Sequence, residues 1–120
     1  MCGFFLQKNF ICDIIILVID LNVYYELGDL KFEWDSEKAE INFKKHGVKF
    51  RNAALAFFDE NLIVDYDDFH SDDEERYKII GKVEKILVVI YTERSDRNRI
   101  ISARLANKRE RSDYYEQFYY

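Results

Sequence analysis

Four apolar runs rich in β-branched and aromatic residues follow one another in the second half of the chain, and they constrain its fold more than any other feature. They are Leu62 to Tyr66, Tyr77 to Val83, Ile86 to Thr92 and Arg99 to Leu105. Residues of these types favour strands. Only Glu84-Lys85 separates the second run from the third, which is too short for a parallel crossover. The runs are therefore predicted to pair antiparallel as a meander.

Helix signals flank these runs. Ranges 35–47 and 51–58 are predicted helices, the first with an aspartate cap and a closing glycine, and a final helix over 107–116 opens with the capping pair Asn107 and Glu110. The apolar residues expected on the buried sides of the first two helices are Ala39, Phe43, Ala54, Leu55 and Phe58. The order predicts an α+β fold of two N-terminal helices, a four-stranded antiparallel meander sheet and a C-terminal helix. The helices should cover one face of the sheet and leave the other open to a ligand.

Residues 1–30 differ from the rest in composition, since they hold both cysteines and a nearly uninterrupted apolar stretch. We therefore expect an N-terminal extension followed by one domain over 31–120. The run from Ile14 to Ile19 suits either a strand or a buried helix. The two cysteines form no metal-ligand or disulfide pattern. The apolar run is much shorter than the ~20 residues that span a bilayer, and it makes a poor secretory signal. We therefore expect no membrane association and a cytoplasmic location.

Charge is divided between neighbouring segments. Range 59–75 holds nine acidic residues and no Lys or Arg, whereas 76–111 holds eleven basic and four acidic residues, a net charge of +7. The whole chain carries −5. A basic face can attract a polyanion even when the molecule is acidic overall, although such runs also occur as ordinary solvated surfaces.

Three blocks of sequence, in order, resemble the BrnT family of toxins over roughly residues 30 to 116. The first is Phe32-Glu33-Trp34-Asp35 with Lys38, Asn42, Lys45-His46-Gly47-Val48 and Phe50. The second is His70-Ser71 with Glu74, Arg76 and Ile80-Gly81. The third is Val88 to Arg94, then Arg99 to Ala106 with Arg109-Glu110-Arg111. The chain departs from the family at Ser95, where a glycine is usual.

The resemblance implies a RelE-like fold and an endoribonuclease that needs no metal or other cofactor. It also implies that the protein inhibits translation and growth and that a small DNA-binding antitoxin of the BrnA kind neutralises it. The toxin would then contact DNA only indirectly, through the antitoxin. A non-catalytic binding partner or transcriptional corepressor with a RelE-like fold is the alternative, because fold alone does not establish catalysis.

Metal-independent cleavage of RNA by the adjacent 2′-hydroxyl needs a base, an acid and cations that stabilise the developing charge. The candidates for catalysis are His46, Glu93, Arg94 and Arg104. The candidates for RNA binding are Lys45, Arg76, Arg99, Ser102 and Arg109. Strand alternation places Ile100, Ser102 and Arg104 on one face, with Arg99 and Ala103 on the other.

Each candidate also has a structural interpretation. His46 suits a helix C-terminus, Arg104 an ion pair, and Glu93 the neutralisation of a neighbouring arginine. Phe32 and Trp34 would either stack on a base or join a helix to the core. His70, Ser71 and Glu74 fit a capping pattern that orders the acidic loop. The aromatic C-terminus, which is expected to dock the antitoxin, comprises Tyr114, Tyr115, Phe118, Tyr119 and Tyr120.

Overall fold

The structure is a computed structural model that describes residues 21–67 and 74–119. Its elements in this part of the chain are β1 (Asn22–Leu27), β2 (Leu30–Asp35), α1 (Ser36–His46), α2 (Phe50–Ala56), β3 (Ile63–Tyr66), β4 (Tyr77–Val83), β5 (Lys85–Arg94), β6 (Arg97–Leu105), α3 (Lys108–Glu116) and a 3-10 helix (Gln117–Tyr119). None of the helices in these two ranges has the length and apolar character needed to cross a membrane.

The strands form one mixed sheet in the order β1-β2-β6-β5-β4-β3. The antiparallel pairing of the last four strands in the chain confirms the predicted meander. The predicted total of four strands was wrong. The hairpin of β1 and β2 adds two more, with β2 parallel to β6 at Phe32 and Glu33.

The hairpin begins inside the segment that the sequence analysis assigned to an extension. Its turn contains Gly28 with φ 57°, a left-handed conformation that favours glycine. The domain boundary proposed after residue 30 therefore falls within β2, at its first residue, and separates two paired strands. The apolar run from Ile14 to Ile19 lies outside the described residues, and the role of the extension stays a prediction.

Helices α1 and α2 cover one face of the sheet, where the larger core lies. Its buried residues are Phe32, Trp34, Val48, Phe50, Ala53, Ala54, Ala56, Ile79, Leu87, Val89, Tyr91, Ile100 and Ala103. Helix α2 approaches closely because Gly81 has no side chain: a Cβ atom there would lie 2.7 Å from the backbone oxygen of Ala56.

Helix α3 packs on the opposite face, against a second cluster. Its buried members are Ile80, Ile86, Val88, Ala106 and Tyr114. Consecutive residues such as Leu87 and Val88 thus enter different cores, as strand alternation requires. The prediction that all helices cover one face was wrong. The side of the sheet that carries α3 is called the open face below, because α3 covers only part of it.

The helix caps follow the sequence prediction closely. The Asp35 carboxylate accepts hydrogen bonds from two backbone N–H groups at the start of α1, and Gly47 ends that helix with φ 72°. Asn107 and Glu110 form the expected capping box of α3.

The assignment of buried side chains on the helices was partly wrong. Phe43, Leu55 and Phe58 are each more than two-fifths exposed. Small alanines of α2 face the sheet in their place, because the close approach of this helix leaves no room for larger groups.

Candidate nucleic-acid interface

A bulge in β6 determines which side chains reach the open face. Ser102 lies opposite Ile90, but Ile100 lies opposite the next residue of β5, so Ile101 is an extra residue in the pairing. Ile100 and Ala103 are both buried in the larger core. Arg99, Ser102 and Arg104 therefore share the open face. The prediction from simple alternation, which joined Ile100 to Arg104 and separated Arg99 from it, was wrong.

Arg104 is held by a two-point ion pair with Glu110 at the start of α3. Its Nη1 and Nη2 atoms donate to the two carboxylate oxygens at 2.8 and 2.9 Å. The Arg104 side chain is 39% exposed, whereas that of Glu110 is 11% exposed. The hydrogen bond from Arg104 lowers the pKa of Glu110 despite its burial, and the same bond raises the pKa of Arg104. Arg104 is thus fixed in orientation while part of its guanidinium still faces solvent.

Arg99 forms a second pair with a carboxylate from the added hairpin. Its Nη1 atom donates to Glu33 at 2.7 Å and to the side-chain oxygen of Asn22 at 3.2 Å. Both members of the ion pair are mostly buried. The sequence analysis did not identify Glu33 as a site residue, because its partner Arg99 lies 66 residues away in the chain.

Arg97 completes the row of arginines on β6. Its guanidinium lies 4.9 Å from the centre of the Tyr24 ring and donates to the backbone oxygen of Phe32 at 3.3 Å. Lys78 on β4 occupies the same row of the sheet as Ser102, with Ile90 between them. Ser102 therefore lies among basic residues on this face.

Asn42 fixes α1 to the edge of β6. Its side-chain amide donates to Ala103 at 2.8 Å and to Val48 at 3.2 Å, and its oxygen accepts the backbone N–H of Ala103 at 3.2 Å. The buried amide thus supplies hydrogen-bond partners for the backbone N–H and C=O of Ala103, which lies beyond the part of β6 that pairs with β2. A buried Asn in the middle of an amphipathic helix is the sequence signal for such a role.

His46 and Lys45 lie at the C-terminal end of α1, beside the bulge. Together with Lys38 and Ser102 they line a shallow pocket of about 250 Å³. His46 also borders a neighbouring pocket that reaches the turn between β4 and β5. Of the predicted site residues, His46, Lys45 and Ser102 line this pocket. Arg104 lies two residues beyond Ser102 on the open face, so Ser102 connects the pocket with the arginine.

Glu93 and Arg94 lie at the far end of β5. His46 lies near Leu87, six positions before Glu93, so at ~3.3 Å per residue the two ends are roughly 20 Å apart. Arg94 pairs with Glu74 at 3.3 Å. Burial, and next the charge of Glu93, raise the pKa of Tyr91. The catalytic set proposed from the sequence is therefore divided between two ends of the sheet.

The remaining candidates are distributed around these regions. Arg76 immediately precedes β4, near the end that carries Glu93, and Arg109 is exposed on α3. Phe32 and Trp34 are 0% and 4% exposed, so they belong to the core and are not available to stack on a base.

Two further candidate groups lie at the acidic loop and the C-terminus. His70 and Ser71 lie outside the described residues. Tyr114 is buried and its hydroxyl donates to Asp59, while Tyr115, Phe118 and Tyr119 are exposed. Across 21–67 and 74–119, no three side chains of His, Cys, Asp or Glu group as metal ligands would.

Comparison with known proteins identifies a family and a similar solved structure. The family profile described as "Ribonuclease toxin, BrnT, of type II toxin-antitoxin system" matches residues 34–110. The 1.1 Å crystal structure of the ribonuclease toxin BrnT from Brucella abortus is similar with a TM-score of 0.51 and 27% identity, covering 62% of this chain and 94% of that chain. No curated protein matches. The profile includes α1 and all of β6 but leaves out β1.

Proposed function

The chain belongs to the BrnT family of ribonuclease toxins of type II toxin–antitoxin systems, and we propose that it cleaves RNA without a metal ion on the open face of β6. The observation that carries this proposal is the bulge, which directs Arg99, Ser102 and Arg104 to the same side of the sheet within the matched region. Guanidinium groups fixed on a sheet are suited to bind phosphate.

In the proposed reaction the 2′-hydroxyl attacks the adjacent phosphate, a 2′,3′-cyclic phosphate forms, and the bond to the 5′-oxygen of the next nucleotide breaks, with that oxygen taking a proton from water. His46 is the proposed base, since its imidazole borders the same pocket as Ser102 and a ring nitrogen of histidine can accept a proton. Arg104 stabilises the negative charge that develops on the phosphate, an effect typically worth ~10²–10³ in rate. Lys45 and Arg99 bind flanking phosphates. Glu93 and Arg94 lie too far from His46 to share this step.

Arg104 has donors to spare for a substrate. A guanidinium carries five N–H groups; Glu110 occupies one on each of the two terminal nitrogens, and the backbone oxygen of Leu105 accepts a second from Nη1 at 3.3 Å, which leaves donors on Nη2 and Nε. The carboxylate restricts the rotation of the side chain, so little conformational entropy is lost when phosphate binds. The ion pair therefore prepares Arg104 for binding.

The partner proposed for this toxin is a small DNA-binding antitoxin of the BrnA kind. The exposed aromatic residues that follow α3 support a docking role there, since Phe118 and Tyr119 are 52% and 82% exposed. Inhibition of translation and growth would follow from RNA cleavage in the cytoplasm.

One observation favours the alternative of a non-catalytic binding protein: Arg99 and Arg104 are both already paired with internal carboxylates. Expression from a tightly regulated promoter separates the two functions. We expect growth arrest with loss of cellular RNA, relieved by co-expression of the small protein encoded next to this chain. Normal growth with intact RNA at a verified protein level would instead support the non-catalytic function.

A further inference from the structure

We propose that Tyr24 and Arg97 form a subsite that stacks one nucleobase of single-stranded RNA beside the arginine row of the open face. The inference rests on the proposed function, because it assigns part of the same substrate. The Tyr24 ring is 62% exposed although it lies within a strand, and the Arg97 guanidinium is 4.9 Å from its centre. The ring and the cation thus present a planar surface next to a positive charge.

Strand register directs Tyr24 toward the substrate. Tyr24 lies opposite Glu33 on β2, and Glu33 lies opposite Arg99 on β6. The alternate residues Val23 and Tyr25 pack on the larger core, so Tyr24 points to the open face. Strands lie ~4.8 Å apart, which puts Tyr24 roughly 10 Å from Arg99 along this row. A strand of RNA bound at the arginines can therefore reach the ring with a neighbouring base.

The chemistry of the patch favours RNA over an apolar partner. Arg97 is held by a ring and a backbone carbonyl, while the adjacent carboxylate of Asp96 forms its ion pair with Lys31. Stacking on an exposed aromatic ring next to arginine is a common way to bind single-stranded nucleic acid, because every base has a π face. The buried Trp34 cannot supply such a platform.

The ring of the subsite lies outside the part of the chain that the family profile covers. The profile starts at residue 34, whereas Tyr24 belongs to β1, and only Arg97 falls inside it. Strand β1 thus extends the open face beyond the matched part of the chain and supplies the ring. At this position Tyr24 can contribute to substrate binding but not to the chemical step.

The test uses the full chain and a short single-stranded oligoribonucleotide that carries a fluorescent adenine analogue. Tyr24→Val removes the ring but keeps a residue that suits a strand, and Tyr24→Phe keeps the ring. Tyr66→Val is the matched control, because it removes an exposed tyrosine from β3, the strand at the opposite edge of the sheet. Circular dichroism establishes that each variant is folded.

We expect Tyr24→Val to raise the Kd and KM for the oligonucleotide about tenfold, the effect of losing one base–aromatic stack, with kcat nearly unchanged. Quenching of the analogue should be lost in that variant and kept in Tyr24→Phe and Tyr66→Val. Cleavage by the unmodified chain with equal binding by Tyr24→Val overturns the subsite alone. If the unmodified chain neither binds nor cleaves RNA, the proposed function fails with it.

Discussion

Replacing Arg104 by alanine distinguishes a phosphate-binding arginine from one that only holds α3. The substitution leaves the Glu110 carboxylate, 11% exposed, without its two-point partner, although the Asn107 backbone N–H still donates to it at 2.9 Å. Exposed ion pairs are worth ~0.2–1 kcal/mol, and breaking a buried pair costs ~3–5 kcal/mol. Because Arg104 is 39% exposed, we expect an intermediate loss in the free energy of unfolding, about 1–2 kcal/mol.

A loss of this size lowers Tm by roughly 3–12 °C in a chain of this length, so the variant should be folded at 25 °C. Its rate of RNA cleavage should nevertheless fall by ~10²–10³, as when a group that stabilises developing charge is removed. Arg104→Lys keeps the charge but cannot make the two-point contact, so most of the activity should be lost there too.

Glu110→Gln is the matched control. Glutamine also suits the capping box, so α3 keeps its start while the ion pair is lost. We expect a similar loss of stability with a much smaller loss of cleavage than in Arg104→Ala, because the guanidinium is still present but is no longer held in orientation by the carboxylate. Thermal melts and cleavage rates are measured on the same preparations. Equal loss of cleavage in Arg104→Ala and Glu110→Gln would refute a direct role for Arg104, as would an alanine variant that cleaves at the unmodified rate.

Three further outcomes are expected. Hydrogen bonds hold the folded-state pKa values of Glu110 and Asp59 below the ordinary range. The stability that these carboxylates provide is therefore complete above about pH 4–5 and is lost as the pH falls through their folded-state pKa values. In thermal melts over this pH range, Glu110→Gln should reduce the slope of stability against pH. Ser95 has φ 57°, so Ser95→Gly should stabilise the chain by about 0.5–1 kcal/mol in denaturant titrations, and a loss of stability would contradict the left-handed turn. Removing residues 1–20 should leave a cooperative thermal transition. Removing residues 1–29 also deletes β1 and should lower Tm. Equal Tm values for the two truncated chains would show that the hairpin does not support the core.

The local parts of the fold were predictable from the sequence. Asp35, Gly47 and the Asn107–Glu110 pair lie at helix ends because their capping contacts involve residues only a few positions away. The meander was predictable for the same reason, since short turns join β4 to β5 and β5 to β6. Signals that act over short stretches of chain can be read directly from residue type and spacing.

The contacts that shape the open face were not predictable in this way. The pairing of β2 with β6 joins residues 66 positions apart, and the bulge at Ile101 depends on how two strands meet, not on their composition. A one-residue change in register reverses which side chains face outward, and it moved Arg99 to the same side as Arg104. The partners Glu33 and Asn42 were missed as site residues for the same reason.

Cleavage of RNA by the purified full chain in excess EDTA tests the central claim most directly. The account predicts that cleavage proceeds at the same rate with and without the chelator, because the proposed base and cations are side chains of the protein itself. Rising salt should slow the reaction at low RNA concentration, since binding depends on arginine–phosphate contacts. Cleavage that is abolished by EDTA and restored by a divalent ion, or no cleavage under either condition, would contradict it.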